Sequence, residues 1–248
     1  MHQQLALTIA QQTKGMAMTP SHDLSGWTPR ARPARKVLDG RYARLEPLTA
    51  ALHGDDLYHA STPKDAEARF AWLPETPPQN KAAYHDWATA AEASKDPLYF
   101  AVIDKATGKA GGRQTLMRHD TANGVIEVGH IYWGPQIAGQ RTATEALFLF
   151  ASYVFDELGY RRFEWKCNDA NSPSKSAAQR FGFSPEGVFR QAMVIKGANR
   201  DTAWFSIIDS EWPALKAGFE TWLNPSNFDG DGQQIHKLTE CRTARTDI

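Results

Sequence analysis

Apolar residues along this chain follow two rhythms, one of period two and one of three to four, and the switches between them order its elements. A short strand at 42–47 comes first. Residues 52–61 and 64–72 predict short helices, closed by the Trp72-Leu-Pro-Glu-Thr-Pro-Pro78 run, whose prolines stop helix growth. The spacing of Ala83, Trp87 and Ala91 predicts a helix over 80–94. Three strands follow at 98–104, 109–118 and 124–133, with a turn at Thr107-Gly108 and a hairpin signal at Asn123-Gly124. The rhythm then changes. Ala143, Leu147, Phe150, Val154 and Leu158 recur every three or four residues, Thr142-x-x-Glu145 reads as a capping box at their start, and Gly159 stops them. A strand at 162–168, a helix from Ser172-Pro173 to Phe181, strands at 187–195 and 202–209, and a helix at 211–223 complete the series.

That order predicts one α/β domain over 37–224: a mixed, mostly antiparallel sheet with a strand–helix–strand–helix unit at its centre. Residues 1–36 carry Gln, Pro, Ser and Arg without periodicity and are expected to form a flexible N-terminal arm. Residues 225–248 are expected as a polar tail.

Composition narrows the function. The 248 residues are 42% hydrophobic, enough for a packed core. Lys plus Arg number 28 and Asp plus Glu 28, so no broad field draws the chain to nucleic acid or anionic lipid. Arg161 and Arg162 read as a solvated strand edge. No apolar run approaches a membrane span, and Leu5-Ala-Leu-Thr-Ile-Ala10 makes a poor signal peptide. The two cysteines, Cys167 and Cys241, have no metal-ligand spacing, so no metal is expected and a reducing cytoplasm is the simplest setting.

Candidate chemistry gathers in two segments. Residues 127–145 read as strand, loop and capped helix, and a helix N-terminus with its unpaired N–H groups suits a pyrophosphate. Gly139 permits close backbone approach, Arg141 adds charge, and Thr142 and Thr144 add hydroxyls. An ordinary capped helix fits this segment equally well. The second segment, Arg162–Phe183, joins a strand to Asn171-x-x-Ser174 and a helix ending Arg180-Phe-Gly-Phe183.

With Ala143-Thr-Glu-Ala146, Asp156-Glu-Leu-Gly-Tyr160 and Asn199-Arg-Asp-Thr-Ala-Trp-Phe-Ser206, this segment resembles the GCN5-related N-acetyltransferase (GNAT) superfamily. The likeness is to its ribosomal-protein N-terminal acetyltransferase-like branch, over roughly residues 40–223. The resemblance implies a sheet with a splayed parallel pair, helices on both faces, and acetyl-CoA or another acyl-CoA as cosubstrate. The pyrophosphate loop then corresponds to Gln136, Gly139, Gln140 and Arg141, running into Thr142, Ala143 and Thr144. Arg141 stands where Gly or Ala is usual. Pantetheine is expected along Ile131, Tyr132 and Trp133, with Asn171 and Ser174 on the coenzyme side. Many members carry a tyrosine acid four residues beyond Ser174; here that position is Ala178, so Ser174 or water protonates the thiolate. A first-turn capping role for Ser174 is the competing expectation.

Glu127 resembles the position that deprotonates the amine, which attacks the thioester directly; a plain strand carboxylate is its alternative, and His130 a second base. Simple alternation puts Glu127, Gly129 and Ile131 on one face and His130 on the other. Trp72, Leu73 and Pro74 are expected to line the acceptor site, or else the core. Cys167 reads as a buried thiol rather than a nucleophile. The acceptor is a protein N-terminal Ser or Ala or a small-molecule amine, and a homodimer is compatible with the sequence. A non-catalytic acyl-CoA-binding module is the alternative function.

Overall fold

The computed structural model describes residues 23–243; the Leu5–Ala10 run and the rest of 1–22 lie outside the described residues. Strands β1 (Leu38–Asp39), β2 (Ala43–Pro47), β3 (Leu98–Asp104), β4 (Lys109–Asp120) and β5 (Val125–Trp133) form one antiparallel series. A second contains β6 (Arg162–Asn168), β8 (Ala198–Ile208) and β7 (Ser184–Ile195). The parallel pair β5–β6 joins them into an eight-stranded sheet, β1-β2-β3-β4-β5-β6-β8-β7.

Each face has its own core. Helices α1 (Ala50–Ser61) and α3 (Lys81–Ala93) bury Leu57, Tyr84 and Ala88 against Tyr99, Ala101 and Ile103, with short α2 (Ala66–Phe70) between them. On the other face, α4 (Arg141–Ser152) runs into a π turn (Tyr153–Glu157). Beside it lie α5 (Ser172–Phe181), α6 (Trp212–Trp222) and α7 (Leu238–Thr243). Leu147, Phe150 and Val154 pack there on Phe100, Ile126 and Phe163. The 3.6-residue rhythm of α4 thus meets the two-residue rhythm of the central strands.

The start of α4 differs from the expected capping box. The helix begins at Arg141, its N-cap is Gln140, and Gln140 makes no side-chain cap. Thr142 is two residues past the cap position, and its hydroxyl donates instead to Asp104 at 3.3 Å. Glu145 is also diverted: the N–H groups of Arg41, Tyr42 and Ala43 donate to its carboxylate at 2.9, 2.5 and 2.6 Å. A buried carboxylate needs such donors, and here they come from the β1–β2 turn.

Both terminal segments are more engaged than their composition suggested. Over 23–36 the chain is fastened to the domain. Arg30 N–H donates to Thr121 O at 2.9 Å. Trp27 Nε1 donates to Ala122 O at 2.7 Å and Arg30 Nε to Gly159 O at 2.9 Å. Ala34 N–H donates to the Tyr153 hydroxyl at 2.7 Å. Past 224, Leu238 is buried, Phe228 packs edge-on to Trp222, and the Asn227 carboxamide donates to Trp222 O at 3.0 Å and His236 O at 3.2 Å.

Candidate active site

β5 and β6 pair from Val125 with Arg162 to Val128 with Trp165. Past that point each strand keeps a different neighbour. β5 follows β4 as far as Trp133 opposite Gly112, and β6 follows β8 as far as Asn168 opposite Thr202. The sheet therefore parts into a V, closed at residues 124–125 and 161–162 and open toward Trp133 and Asn168.

A bulge marks the β5 arm. Between Thr115 opposite Gly129 and Arg113 opposite Tyr132, β5 uses one more residue than β4. His130 sits there at φ 46°, a left-handed conformation uncommon for a residue with a side chain. The extra residue corrects the expected alternation. Ile131 and Trp133 pack on the α4-side core with Ile126 and Val128. His130 instead lies 5.7 Å from the Tyr99 ring, and Tyr132 4.8 Å from Phe70, on the α1–α3 side with Glu127.

A cleft of about 660 Å³ occupies the V. Its β5 wall carries Glu127, Gly129, His130, Ile131, Tyr132 and Trp133; its other wall carries Trp165, Lys166, Cys167 and Asn168. Asn171, Ser174 and Ala177 of α5 line it on one side, and Trp72, Leu73 and Pro74 on another. A second cavity, of about 340 Å³, opens at the start of α4 among Gly139, Gln140, Arg141, Ala143 and Thr144. Trp133 and Ala177 line both, so the two cavities adjoin. Gln136 is exposed and lines neither, and the Thr142 side chain is turned to Asp104.

The second cavity carries positive charge over an uncapped helix start. Gly139 bends the chain into α4 at φ 74°. The Arg141 guanidinium lies over the rings of Tyr42 at 4.5 Å and Phe228 at 5.2 Å, which hold it in place. Opposite, Arg180 donates to Thr144 Oγ1 at 3.1 Å. Sequence reasoning noted Arg180 only within a helix-ending motif, because its approach to α4 depends on tertiary packing.

Asn171 caps α5: its Oδ1 accepts from Ser174 N–H at 3.1 Å. That removes the capping role from Ser174, whose Oγ instead accepts from Trp165 Nε1 at 3.0 Å. Ala178 is 0% exposed within the core, so a tyrosine at this position would overpack rather than reach the cleft. Cys167 is buried, and burial raises its thiol pKa, away from nucleophilic use.

Glu127 is a buried carboxylate held by Lys166 at 2.9 Å and Arg118 at 3.2 Å. Lys166 also pairs with Glu164 at 2.7 Å. Burial raises the Glu127 pKa despite the pull of the cations. Burial lowers the His130 pKa, with Glu75 opposing and Arg113 assisting, and its Nδ1 has no hydrogen-bond partner. Beneath the Trp72–Pro74 loop, Arg113 is 1% exposed, pairs with Glu75 and lies 4.4 Å from the Trp87 ring. Among the described residues no group of three or more His, Cys, Asp or Glu is placed to hold a metal ion, and no helix is long and apolar enough to cross a membrane.

Comparison with known proteins agrees with this geometry. Residues 43–184 match the acetyltransferase (GNAT) domain family. A GCN5-related N-acetyltransferase from Brucella melitensis is 62% identical, with a TM-score of 0.87, covering 88% of this chain and 99% of its own. A Chromobacterium violaceum protein described as a probable acetyltransferase of the GNAT family is 36% identical, with a TM-score of 0.73, covering 80% of this chain and all of its own (100%). YdaF of Bacillus subtilis, provisionally named a ribosomal N-acetyltransferase, is 28% identical over 110 residues. That match spans 44% of this chain and 59% of YdaF. On a family match covering more than half its length, and on 62% identity with the Brucella protein over 88% of this chain, the chain belongs to the GNAT acetyltransferase family.

Proposed function

We propose that this protein transfers an acetyl or other short acyl group from coenzyme A to a primary amine. The observation that carries the proposal is the pair of adjoining cavities that runs from the open V to the uncapped start of α4. An elongated cosubstrate with an anionic end and an amide-bearing arm suits it. Arg141, Arg180 and the first-turn N–H groups of α4 would hold the phosphates, and the freed backbone of Ile131–Trp133 would hold the arm. When bound, acetyl-CoA supplies a thioester carbonyl activated toward amines.

The chain's own groups supply the rest. Backbone N–H groups at the bulge polarise the carbonyl. Glu127 takes the proton from the incoming ammonium, directly or through one water. His130 is the second candidate, favoured by its neutral ring and unpartnered Nδ1. The Ser174 hydroxyl accepts from Trp165 and lies beside the Cys167 thiol, and its proton can turn from that thiol to the departing sulfur. The acceptor is a small amine or a protein N-terminus. Both cysteines are unpaired thiols, which suits a reducing cytoplasm.

Thiol release from acetyl-CoA across an amine panel tests the reading, alongside coenzyme A titration of wild type and Arg141→Ala. Transfer is expected, with affinity about tenfold or more weaker in the variant, as for a lost charge-assisted contact. Tight binding without turnover of any amine would favour a non-catalytic acyl-CoA-binding module.

A further inference from the structure

β8 runs beside the β6 arm of the V, with Thr202 opposite Asn168 and Trp204 opposite Lys166. Its two faces differ in kind. Ala203, Phe205 and Ile207 enter the core beneath α5 and α6. Arg200, Thr202 and Trp204 face the other way, into the large cleft. Each of these three carries a buried polar atom with no hydrogen-bond partner: Arg200 Nε, Thr202 Oγ1 and Trp204 Nε1. Thr202 is 4% exposed. Three such atoms in register on one strand face, all opening into the cleft, mark a place where a bound ligand would satisfy them.

The ladder consists of donors, since Arg and indole N–H groups cannot accept and the threonine hydroxyl can do either. Its partner must therefore present oxygen acceptors. The charge balance makes that partner an anion. Among the described residues Glu127 is the one acid that lines the cleft, and Lys166 and Arg118 already hold it. Arg69 is paired with Asp65. Arg200 also lines the cleft, has no ion pair among the described residues, and bears electrostatically on both His130 and Cys167, across the mouth of the V. Adjacent strands lie roughly 5 Å apart, so a carboxylate on this ladder leaves a nearby amine over β6, between the ladder and Glu127 on β5. Trp72, Leu73, Phe189 and Met193 surround that position with apolar surface.

We propose that Arg200, Thr202 and Trp204 form a carboxylate site, and that the acceptor is a small amine bearing its own carboxylate, an α-amino acid with an apolar or aliphatic side chain. This inference rests on the acyl-transfer function proposed above. Arg200 neutralises the carboxylate, Trp204 and Thr202 fix its direction, and the amine is thereby aimed at the thioester.

Matched pairs test it: L-phenylalanine with phenethylamine and L-leucine with isoamylamine, plus the dipeptide amide Ser-Ala-NH₂. Wild type should acetylate at least one carboxylate-bearing member and discriminate against its partner about 10- to 100-fold in kcat/KM. Arg200→Ala and Trp204→Phe should raise KM for that member while leaving coenzyme A affinity and Tm unchanged; Arg200→Lys should restore part of the loss. Equal use of both members, or preference for the dipeptide amide, overturns the carboxylate site while leaving acyl transfer standing. A second readout separates the two ideas. Titration of N-acetyl-L-phenylalanine, N-acetyl-L-leucine and their decarboxylated counterparts into the coenzyme A-loaded protein should show Arg200-dependent binding of the carboxylates alone. Such binding without turnover of any amine would sustain the site and refute the transfer. No Arg200-dependent binding and no carboxylate preference overturn the site.

Discussion

At the scale of single residues, Glu127 works against its surroundings. The fold buries it, and burial favours its neutral form, while Lys166 and Arg118 favour the charged one. The net upward shift has a definite sign. A carboxyl that acts as base must be ionised, so kcat/KM should fall as pH drops through this raised pKa. The same shift contributes stability at low pH that is lost as pH rises through it, so the ionised carboxylate is carried at a cost at neutral pH. Glu127→Gln should therefore lower kcat by about 10²- to 10⁴-fold, abolish the acid limb and spare Tm. Steady-state rates from pH 5 to 9 check this; a surviving acid limb would pass the role to His130. Glu127 was singled out by its resemblance to the family's proton-accepting position, and it lies buried and ion-paired in the cleft wall; its role as base is what the pH profile tests. Arg200, Thr202 and Trp204 were not singled out, although their alternation with Ala203, Phe205 and Ile207 is visible in the sequence. A polar strand face more often meets solvent than a ligand, and only the cleft distinguishes the two.

At the scale of elements, local rhythm located the strands and helices well, because turns such as Asn123-Gly124 are written in neighbouring residues; the cap of α5 is Asn171, one residue ahead of the Ser172-Pro173 start signal. It failed where one residue is inserted. The bulge at His130 carries no glycine or asparagine to announce its left-handed backbone, so alternation alone placed Ile131 on the wrong face. It failed also at the start of α4, where Glu145 satisfies the capping-box pattern yet serves a different element. That diversion leaves the helix start free and ties it to the β1–β2 turn, whose Tyr42 ring supports Arg141. Glu145→Ala should leave three backbone N–H groups without their acceptor, that of Ala43 buried, costing about 2–4 kcal/mol. It should also weaken coenzyme A binding without touching any residue of either cavity. Denaturant melts and calorimetry on one variant read both effects, and stability loss with unchanged affinity would separate the turn from the coenzyme site.

At the scale of the whole molecule, the sheet is two antiparallel series joined by one short parallel seam. The charge and composition of the chain did not reveal how its ends bear on that seam. Residues 27–34 cross its closed end, fastening the 121–122 turn to Gly159 and Tyr153, and the Arg161 guanidinium lies 5.4 Å from the Trp27 ring. Removing residues 1–36 should then cost about 2–4 kcal/mol, at about 1 kcal/mol for each hydrogen bond lost, and lower Tm by several degrees. An unchanged melting curve would mean that the strap adds nothing. The strap gives the seam a mechanical meaning. Two rigid bodies touching along a few residues behave as the jaws of a clothes-peg, and Trp27 sits where the spring would be. A molecule gripped at the tips is then felt at the spring, so coenzyme loading should slow amide hydrogen exchange not only along the jaws but also at Arg161 and Arg162, far from anything the ligand touches.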